Sequence, residues 1–157
     1  MAGDLVVDGL AIDLAIANEN GGVARVVDDV SFVVAEGRAT ALVGESGSGK
    51  TLTALSLLRL LPDAARVAAG RVVVDGDDLL SLDDKRLRAL RGKKVAMVFQ
   101  EPMLALNPLM RVDDQAGEAL RLHEKLSKKA ARAAATTLLA SMGLPPEKAR
   151  AYPHELS

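Results

Sequence analysis

Apolar and polar residues alternate along the first third of the chain with the two-residue period of β-strands. Leu5–Val7 and Leu10–Ile16 show this alternation, and Ala24–Ala35 is rich in β-branched residues. The letters NENGG at Asn18–Gly22 are typical of a turn between such strands. The pattern therefore predicts an antiparallel β-meander at the start of the chain.

The middle of the chain has mainly apolar runs on either side of a helical pattern. The runs Ala39–Val43 and Lys94–Phe99 are typical of strands covered on both faces. Leucines surround Lys50–Leu61, which predicts a buried helix that Pro62 ends, because proline has no amide hydrogen. Two further elements are predicted in this part, a strand at Arg71–Val74 and a charged helix at Leu82–Arg91.

After residue 100 the pattern becomes helical. Asp113–Leu126 and Lys128–Met142 are rich in alanine and leucine, which favours two helices. Ser127 is placed to cap the start of the second helix, and Gly143 to end it. We therefore expect an α/β fold that finishes in a helical subdomain.

Composition excludes several classes of protein. The chain has 157 residues, of which 49% are apolar and 26% are charged, which fits one soluble globular domain. Its net charge of -1 lacks the basic excess that is typical of nucleic-acid-binding proteins. The lack of cysteine excludes disulfides, thiolate metal sites and cysteine nucleophiles. No apolar run reaches the roughly 18 residues that a membrane span needs, and the start MAGDLVVDGL lacks the basic region of a signal peptide.

A glycine-rich loop follows the run at Ala39–Val43 and fits the pattern G-x-x-x-x-G-K-[ST], the Walker A motif. Glycines let successive backbone amides turn towards a phosphate, and the helix that follows adds its positive end. Lys50 can reach the β- and γ-phosphates, and the Thr51 hydroxyl is the usual ligand of Mg²⁺. The alternative is a glycine-rich turn that happens to precede a helix. We expect ATP to be bound by Gly44, Glu45, Ser46, Gly47, Ser48, Gly49, Lys50 and Thr51.

A Walker B motif, in which apolar residues end in a magnesium-binding aspartate, is not convincing anywhere in the sequence. Val72–Asp75 has suitable letters but runs into Gly76, and Asp75-Gly76 is more simply a tight turn. Val26–Asp28 precedes the glycine loop and belongs to the predicted meander.

Three stretches of the sequence are informative together: VDDVSFVVAEGRATALVGESGSGKT, VFQEPMLALNPLMRV and YPHELS. They resemble the ATP-binding subunit of ATP-binding cassette (ABC) transporters, in the group that imports dipeptides, oligopeptides and nickel. Val98–Pro102 is similar to the Q-loop, and Asn107-Pro108 to its form in peptide importers. The resemblance implies a P-loop NTPase with an antiparallel β subdomain (1–38), a partial RecA-like core with Walker A and the Q-loop (39–100) and a helical subdomain (101–157).

The resemblance also implies roles and partners. The glutamine that matches Gln100 contributes to the magnesium and attacking-water site in this family and couples it to the helical subdomain. The expected partners are transmembrane permease subunits, a second ATPase subunit of the same or another kind and, indirectly, a solute-binding protein. The implied location is the cytoplasmic face of the cell membrane, or the cytoplasm for an isolated fragment. Dipeptides, longer peptides, nickel and glutathione all remain open as solutes.

The chain departs from the family pattern at its end and before Walker A. Leu156-Ser157 matches only the first two residues of the LSGGQ signature, and Walker B, the catalytic glutamate and the switch histidine come later in the family. His123 and His154 precede the signature position, so we assign them to surface or packing roles. The stretch Ala15–Asn18 lacks the aromatic residue that stacks on adenine in many relatives, which predicts weaker base binding.

Two functional hypotheses follow from the sequence. The chain is either part of an importer ATPase or a truncated nucleotide-binding fragment that catalyses nothing. A small-molecule kinase is disfavoured, because such a kinase would lack the Q-loop and the helical insertion. The basic cluster is interpreted as a solvated helix face, since acids adjoin it and aromatics are missing. Its members are Lys85, Arg86, Arg88, Arg91, Lys93 and Lys94.

Overall fold

The computed structural model describes residues 3–16, 22–101 and 105–156. The chain forms two compact units, Met1–Val95 and Ala96–Ser157. No helix in the described ranges is long and apolar enough to cross a lipid bilayer. Most of the turn predicted at Asn18–Gly22 lies outside those ranges, and the subdomain boundaries after residues 38 and 100 stay predictions.

The first unit is built on a four-stranded antiparallel sheet with the spatial order β2-β1-β3-β4. Leu5 pairs with Val34 on one side and with Val74 on the other. The strands are β1 (Leu5–Ile16), β2 (Gly22–Val34), β3 (Ala65–Val74) and β4 (Asp77–Asp78). The predicted meander is therefore confirmed, and β3 extends it. The sequence pattern missed the first half of β3 because its alanines and glycine carry little strand preference.

The hydrophobic core of this unit lies on the sheet. Val7, Leu10, Ile12 and Val72 are each 1% exposed or less. Helix α1 (Lys50–Leu57) and helix α2 (Asp84–Leu90) pack leucines against these valine, leucine and isoleucine side chains. This packing fixes the start of α1, and hence the loop that precedes it, against the sheet.

Helix α1 ends before the predicted end at Leu61. It stops at Leu57, and Arg59 has a φ of +51°. The Arg91 guanidinium donates hydrogen bonds to the carbonyl oxygens of Leu58 (2.9 Å) and Arg59 (3.1 Å). The carbonyls of Leu55 and Ser56 near the helix end accept from the amides of the residues that follow, at 58–60. The left-handed turn at Arg59 therefore caps the helix, and Arg91 holds that turn. Pro62 is therefore not the residue that stops α1.

Asp75 and Gly76 form the turn between β3 and β4. Their φ angles are +51° and +85°, and Val74 pairs with Asp77, as in a two-residue hairpin. The Asp75 carboxylate accepts hydrogen bonds from the Lys94 ammonium (2.6 Å) and the Gly3 amide (2.8 Å). The hydrogen bond from Lys94 lowers the pKa of Asp75 below its ordinary value. The prediction of a tight turn rather than a Walker B aspartate is confirmed.

The two buried strands predicted beside the glycine loop and before Gln100 are wrong for the described residues. Ala39–Val43 and 96–99 have no regular structure, and Val43 and Val98 are 87% and 88% exposed. Only a single parallel bridge, between Arg91 and Val95, forms in this part. A strand needs a partner for its backbone groups, and the described residues provide none for these two segments.

The second unit contains two packed helices, α3 (Val112–His123) and α4 (Lys128–Ser141). A Cβ added to Gly117 would lie 3.2 Å from the Ala131 backbone, so the two helices approach closely at this glycine. The Ser127 hydroxyl accepts from the Ala130 amide at 3.2 Å, which confirms the predicted cap of α4. A short 3₁₀ turn at Pro153–Glu155 follows.

Candidate phosphate-binding site

The glycine-rich loop of the first unit lies directly before α1, as the sequence predicts. Residues 41–48 are exposed, and Gly49 occupies the N-cap position of the helix. The loop therefore brings all eight predicted nucleotide-binding residues to the accessible start of a helix that is itself packed on the sheet.

The Lys50 side chain forms hydrogen bonds with residues at the start of the loop. Its ammonium donates hydrogen bonds to the carbonyl oxygens of Gly44 (2.7 Å) and Glu45 (2.6 Å) and to the Ser48 hydroxyl (3.2 Å). The Ser48 amide also donates to the Glu45 carbonyl at 3.2 Å. These contacts hold a full positive charge inside the curve of the loop.

Several backbone amides of the loop and of the first helical turn are free. In the described ranges, the amides of Gly47, Gly49, Lys50 and Thr51 donate to no acceptor. Such amides at a helix start favour an anion, because both the N–H groups and the helix dipole present positive charge. The site thus combines uncommitted donors with the Lys50 ammonium.

Gly49 is required by a close approach to β2. It has a φ of +86°, and a Cβ at this position would lie 2.7 Å from Val27 Cγ2 and 3.0 Å from the Val26 carbonyl oxygen. Gly47 has a φ of +82°, and a Cβ there would meet nothing within 4 Å. One side of the loop therefore rests on β2, while the side at Gly47 is open. An open, amide-lined concavity of this kind fits a phosphate group.

The remaining predicted ligands of the loop are also accessible. Thr51 is exposed, and its hydroxyl makes no hydrogen bond to another residue in the described part of the chain. Glu45 and Ser46 are exposed as well. A free hydroxyl beside the phosphate-binding amides is the type of ligand that Mg²⁺ accepts when it is bound to a nucleotide.

Gln100 belongs to the second unit and is exposed. Its predicted contribution to the magnesium and water site stays a prediction. The stretch that carries it is described up to Glu101, and Pro102 of the Q-loop resemblance lies outside the described residues. The same holds for Ala17 and Asn18, where the missing aromatic residue was noted, and for Ser157.

The sequence reasoning missed two structural features. It treated the basic cluster as solvated, whereas Arg91 bonds to the Leu58 carbonyl just after α1 and Arg86 bonds to Asp77 at 2.7 Å. It also gave no role to Gln115, whose carboxamide accepts from the Asn107 amide and donates to the carbonyls of Asn107 and Met110, each at 2.9 Å. The sequence pattern does not reveal these hydrogen bonds, because the bonded residues are eight or more positions apart in most of them.

A family model described as ABC transporter matches residues 27–157. The chain belongs to the ABC transporter family. The matched range includes the loop at 44–51, and the family agrees with the resemblance found from the sequence.

Similar curated proteins include transport ATP-binding proteins of bacteria. The peptidoglycan transport ATP-binding protein YejF of Agrobacterium fabrum is 48% identical over 92% of this chain and 27% of its own length. The dipeptide transport ATP-binding protein DppD and the oligopeptide transport ATP-binding protein OppD, both of Bacillus subtilis, are 46% and 42% identical. The alignment covers 42% of each of these two relatives. The chain thus spans less than half the length of the curated relatives it matches.

Solved structures show the same fold at lower sequence identity. A dimeric structure of the ATP-binding cassette MJ0796 aligns with 98% of this chain and 63% of its own chain, with a TM-score of 0.79 and 23% identity. A dimeric post-hydrolysis state of the same cassette, bound to ADP and Pi, gives a TM-score of 0.77 and 22% identity. The ABC ATPase cassette fold, with its antiparallel sheet and helices, is therefore confirmed.

Proposed function

We propose that this chain is the nucleotide-binding part of an ABC importer subunit that couples ATP binding and hydrolysis to the uptake of peptides or related solutes. The observation that carries the proposal is the closed loop at Gly44–Thr51, in which Lys50 bonds to Gly44 and Glu45 while, in the described ranges, the amides of Gly47, Gly49, Lys50 and Thr51 donate to no acceptor. The names of the similar DppD and OppD proteins support peptides as the solute class.

ATP would bind through its phosphates at this loop. The bond between Lys50 and Ser48 is the longest of the three ammonium contacts, so it is the one that a phosphate oxygen replaces most easily. The amides of Gly47, Gly49 and Thr51 supply neutral donors to the same group. Charge-assisted hydrogen bonds of this kind are stronger than neutral ones, which favours a polyphosphate over an uncharged ligand.

Magnesium fits the same site. The exposed hydroxyl of Thr51, which makes no hydrogen bond in the described part of the chain, would hold the ion. For Gln100, a role in magnesium binding is what the family resemblance implies. An ion held at this site would supply positive charge that neutralises the charge developing during phosphoryl transfer. The protein residues contribute positioning, since Lys50 fixes the loop and Thr51 stands at the first turn of α1.

The proposed partners are a transmembrane permease and a second ATPase subunit. Dimeric structures of the similar cassette support the second of these, and transport ATP-binding relatives support the first. The proposed location is the cytoplasmic face of the cell membrane. The loop Asn107–Met110 is a candidate contact for the permease, because Gln115 holds its shape while Leu109 is 85% exposed.

A second candidate function is nucleotide binding without turnover by residues 1–157. Asp75, the aspartate that ends the Val72–Asp75 run, is committed to Lys94 and Gly3 in a tight turn. It therefore does not offer a free carboxylate to magnesium. This candidate predicts the same phosphate site and differs only in catalysis.

Calorimetry with nucleotides tests the proposal. MgATP and MgADP should bind, whereas adenosine should bind much more weakly because it lacks the phosphates that the loop contacts. Equal affinity for ATP and adenosine would contradict the phosphate site. Phosphate release, measured in the same samples after removal of contaminating ATPases, separates the candidates: turnover supports the importer ATPase, and binding without turnover supports the second function.

A further inference from the structure

The second unit contains a groove lined by one face of α4 and by the turn segment 146–150. Its volume is about 710 Å³. Cationic side chains, the carboxylate of Asp113 and a small uncharged surface share its lining. We name it the α4 groove and define it by Lys128, Lys129, Arg132, Thr136, Pro146 and Arg150.

Three of the four cations in the α4 groove make no close contact with an acceptor in the described residues, although Lys128 lies near enough to Asp114 to interact with its charge. The side chains of Lys128, Lys129 and Arg150 are exposed and form no ion pair or hydrogen bond with any residue in the ranges that the structure describes. The chain as a whole has a net charge of -1, so this concentration of positive charge is local. Unpaired cations around one concavity attract an anion.

Helix electrostatics make the position of two lysines unfavourable unless an anion is present. Lys128 and Lys129 are the first residues of α4, at the positive end of the helix dipole, and the first turn of this helix has no acidic residue. Helix α3 follows the usual preference, since its first turn has Asp113 and Asp114. A local feature that reduces helix stability in this way is often found at functional sites.

Arg132 is a fixed cation of the same groove. Its Nη2 atom donates to both oxygens of Asp114, at 2.7 and 2.6 Å, and its Nε atom lies 3.4 Å from Asp113 Oδ2. Asp114 therefore holds the guanidinium by hydrogen bonds, whereas Asp113, which is 1% exposed and accepts no hydrogen bond in the described ranges, acts on it only through charge. The Nη1 group of Arg132 has no acceptor in the described part of the chain. Four cations against two carboxylates leave a positive excess.

We propose that the α4 groove binds a phosphate group, carried either by a soluble phosphate compound or by an anionic lipid headgroup. A planar guanidinium with a free Nη1 suits an oxyanion, and lysine ammonium groups add point charges from the helix start. The cluster is compact, which suits a single multivalent anion better than an extended polymer. The groove belongs to the second unit and the Gly44–Thr51 loop to the first, so the two proposals are independent.

Calorimetry with inorganic pyrophosphate and sedimentation with vesicles test this proposal on the full chain. All proteins carry Lys50→Ala, which weakens the glycine loop, so that failure of one site is distinguishable from failure of the other. The test variant is K128Q/K129Q/R150Q. The matched control, K85Q/R88Q/K93Q, removes the same charge from exposed positions of the first unit. Thermal melts establish that both variants fold.

The expected result is that the test variant binds about tenfold more weakly or worse, as befits the loss of charge-assisted contacts, while the control variant binds like its parent. Binding of pyrophosphate identifies a soluble phosphate as the ligand source. Binding only to vesicles that contain phosphatidylglycerol, and not to pure phosphatidylcholine, identifies a lipid headgroup. Equal losses in both variants, or no binding of either probe by the parent, overturn the proposal. A polyglutamate peptide that binds more than tenfold tighter than pyrophosphate overturns it in favour of an acidic protein segment.

Discussion

The Lys50 ammonium lies 2.7 Å from the Gly44 carbonyl oxygen, so the lysine near the end of the loop holds the glycine that begins it. The same ammonium reaches the Glu45 carbonyl at 2.6 Å. Lys50 therefore has a structural role before any nucleotide binds, because it fixes the curve of the backbone in which free amides are exposed. Its charge is also the strongest attraction that the loop offers to a phosphate.

Replacement of Lys50 by alanine should weaken nucleotide binding by about 10- to 100-fold, since both the charge and the bonds that shape the loop are lost. Titration of a fluorescent ATP analogue measures this change. Lys93→Ala, at an exposed lysine of the same unit, is the control and should leave the affinity unchanged. Unchanged binding by the Lys50→Ala protein would show that the nucleotide is held elsewhere.

Gly49→Ala should destabilise the first unit by about 2–4 kcal/mol, because the new Cβ would collide with Val27 and the Val26 carbonyl at a positive φ. Gly37→Ala is the matched control. Gly37 also has a positive φ, +68°, but a Cβ there meets nothing within 4 Å. Urea unfolding of both variants separates the collision from the backbone strain, and equal losses of stability would contradict the close approach of the loop to β2.

Gln100→Ala should reduce ATP hydrolysis without reducing nucleotide affinity in a subunit that contains the complete catalytic site. The reason is the proposed role of this side chain in placing magnesium and the attacking water, which matters for the reaction more than for phosphate binding. Steady-state phosphate release and nucleotide titration on the same preparation measure the two quantities. A wild-type rate for this variant would assign Gln100 to a structural role.

Asp13→Asn should make the stability of the first unit less sensitive to acid. Arg25 donates to Asp13 at 2.6 Å and lowers the pKa of this carboxyl below its ordinary value of 3.8. A carboxyl with a lowered pKa in the folded state contributes stability above pH 3.8, and this contribution is lost as the pH falls through the folded pKa.

Thermal melts at pH 7 and at about pH 3 measure this effect. The difference in Tm between the two pH values should be smaller for Asp13→Asn than for the unmodified protein, and the variant should be the less stable of the two at pH 7. Asp63→Asn, at an exposed aspartate without an ion pair in the described ranges, serves as the control. An unchanged acid dependence in Asp13→Asn would contradict the role of the pair with Arg25.

Local patterns predicted the elements whose signals lie close together in the sequence. The meander was predicted from alternation, the Ser127 cap from a hydroxyl before a helical pattern, and the turn at Asp75-Gly76 from two adjacent residues. The phosphate site was predicted in the same way, because all of its residues fall within Gly44–Thr51. Such features depend on neighbours in the chain, which a sequence displays directly.

The elements that were predicted wrongly depend on distant partners. The apolar runs at Ala39–Val43 and Lys94–Phe99 have strand-like letters, but the described residues provide no strand beside them. The end of α1 was assigned to Pro62, whereas the chain leaves the helix in a turn at Arg59 whose carbonyl the distant Arg91 guanidinium holds. Apolar residues indicate that a segment tends to be buried, but they do not indicate which other segment of the protein covers it.

The sequence by itself determined the glycine loop before α1, the antiparallel meander and the helical second part, because glycine spacing, residue alternation and helix caps are local properties. Only the tertiary structure decided that Gly49 rests on β2 and that cations of α4 surround a groove with Arg150. These relationships join residues that are far apart in the chain. Their free energies come from packing and charge at close range, which exist only once the backbone has brought the residues together.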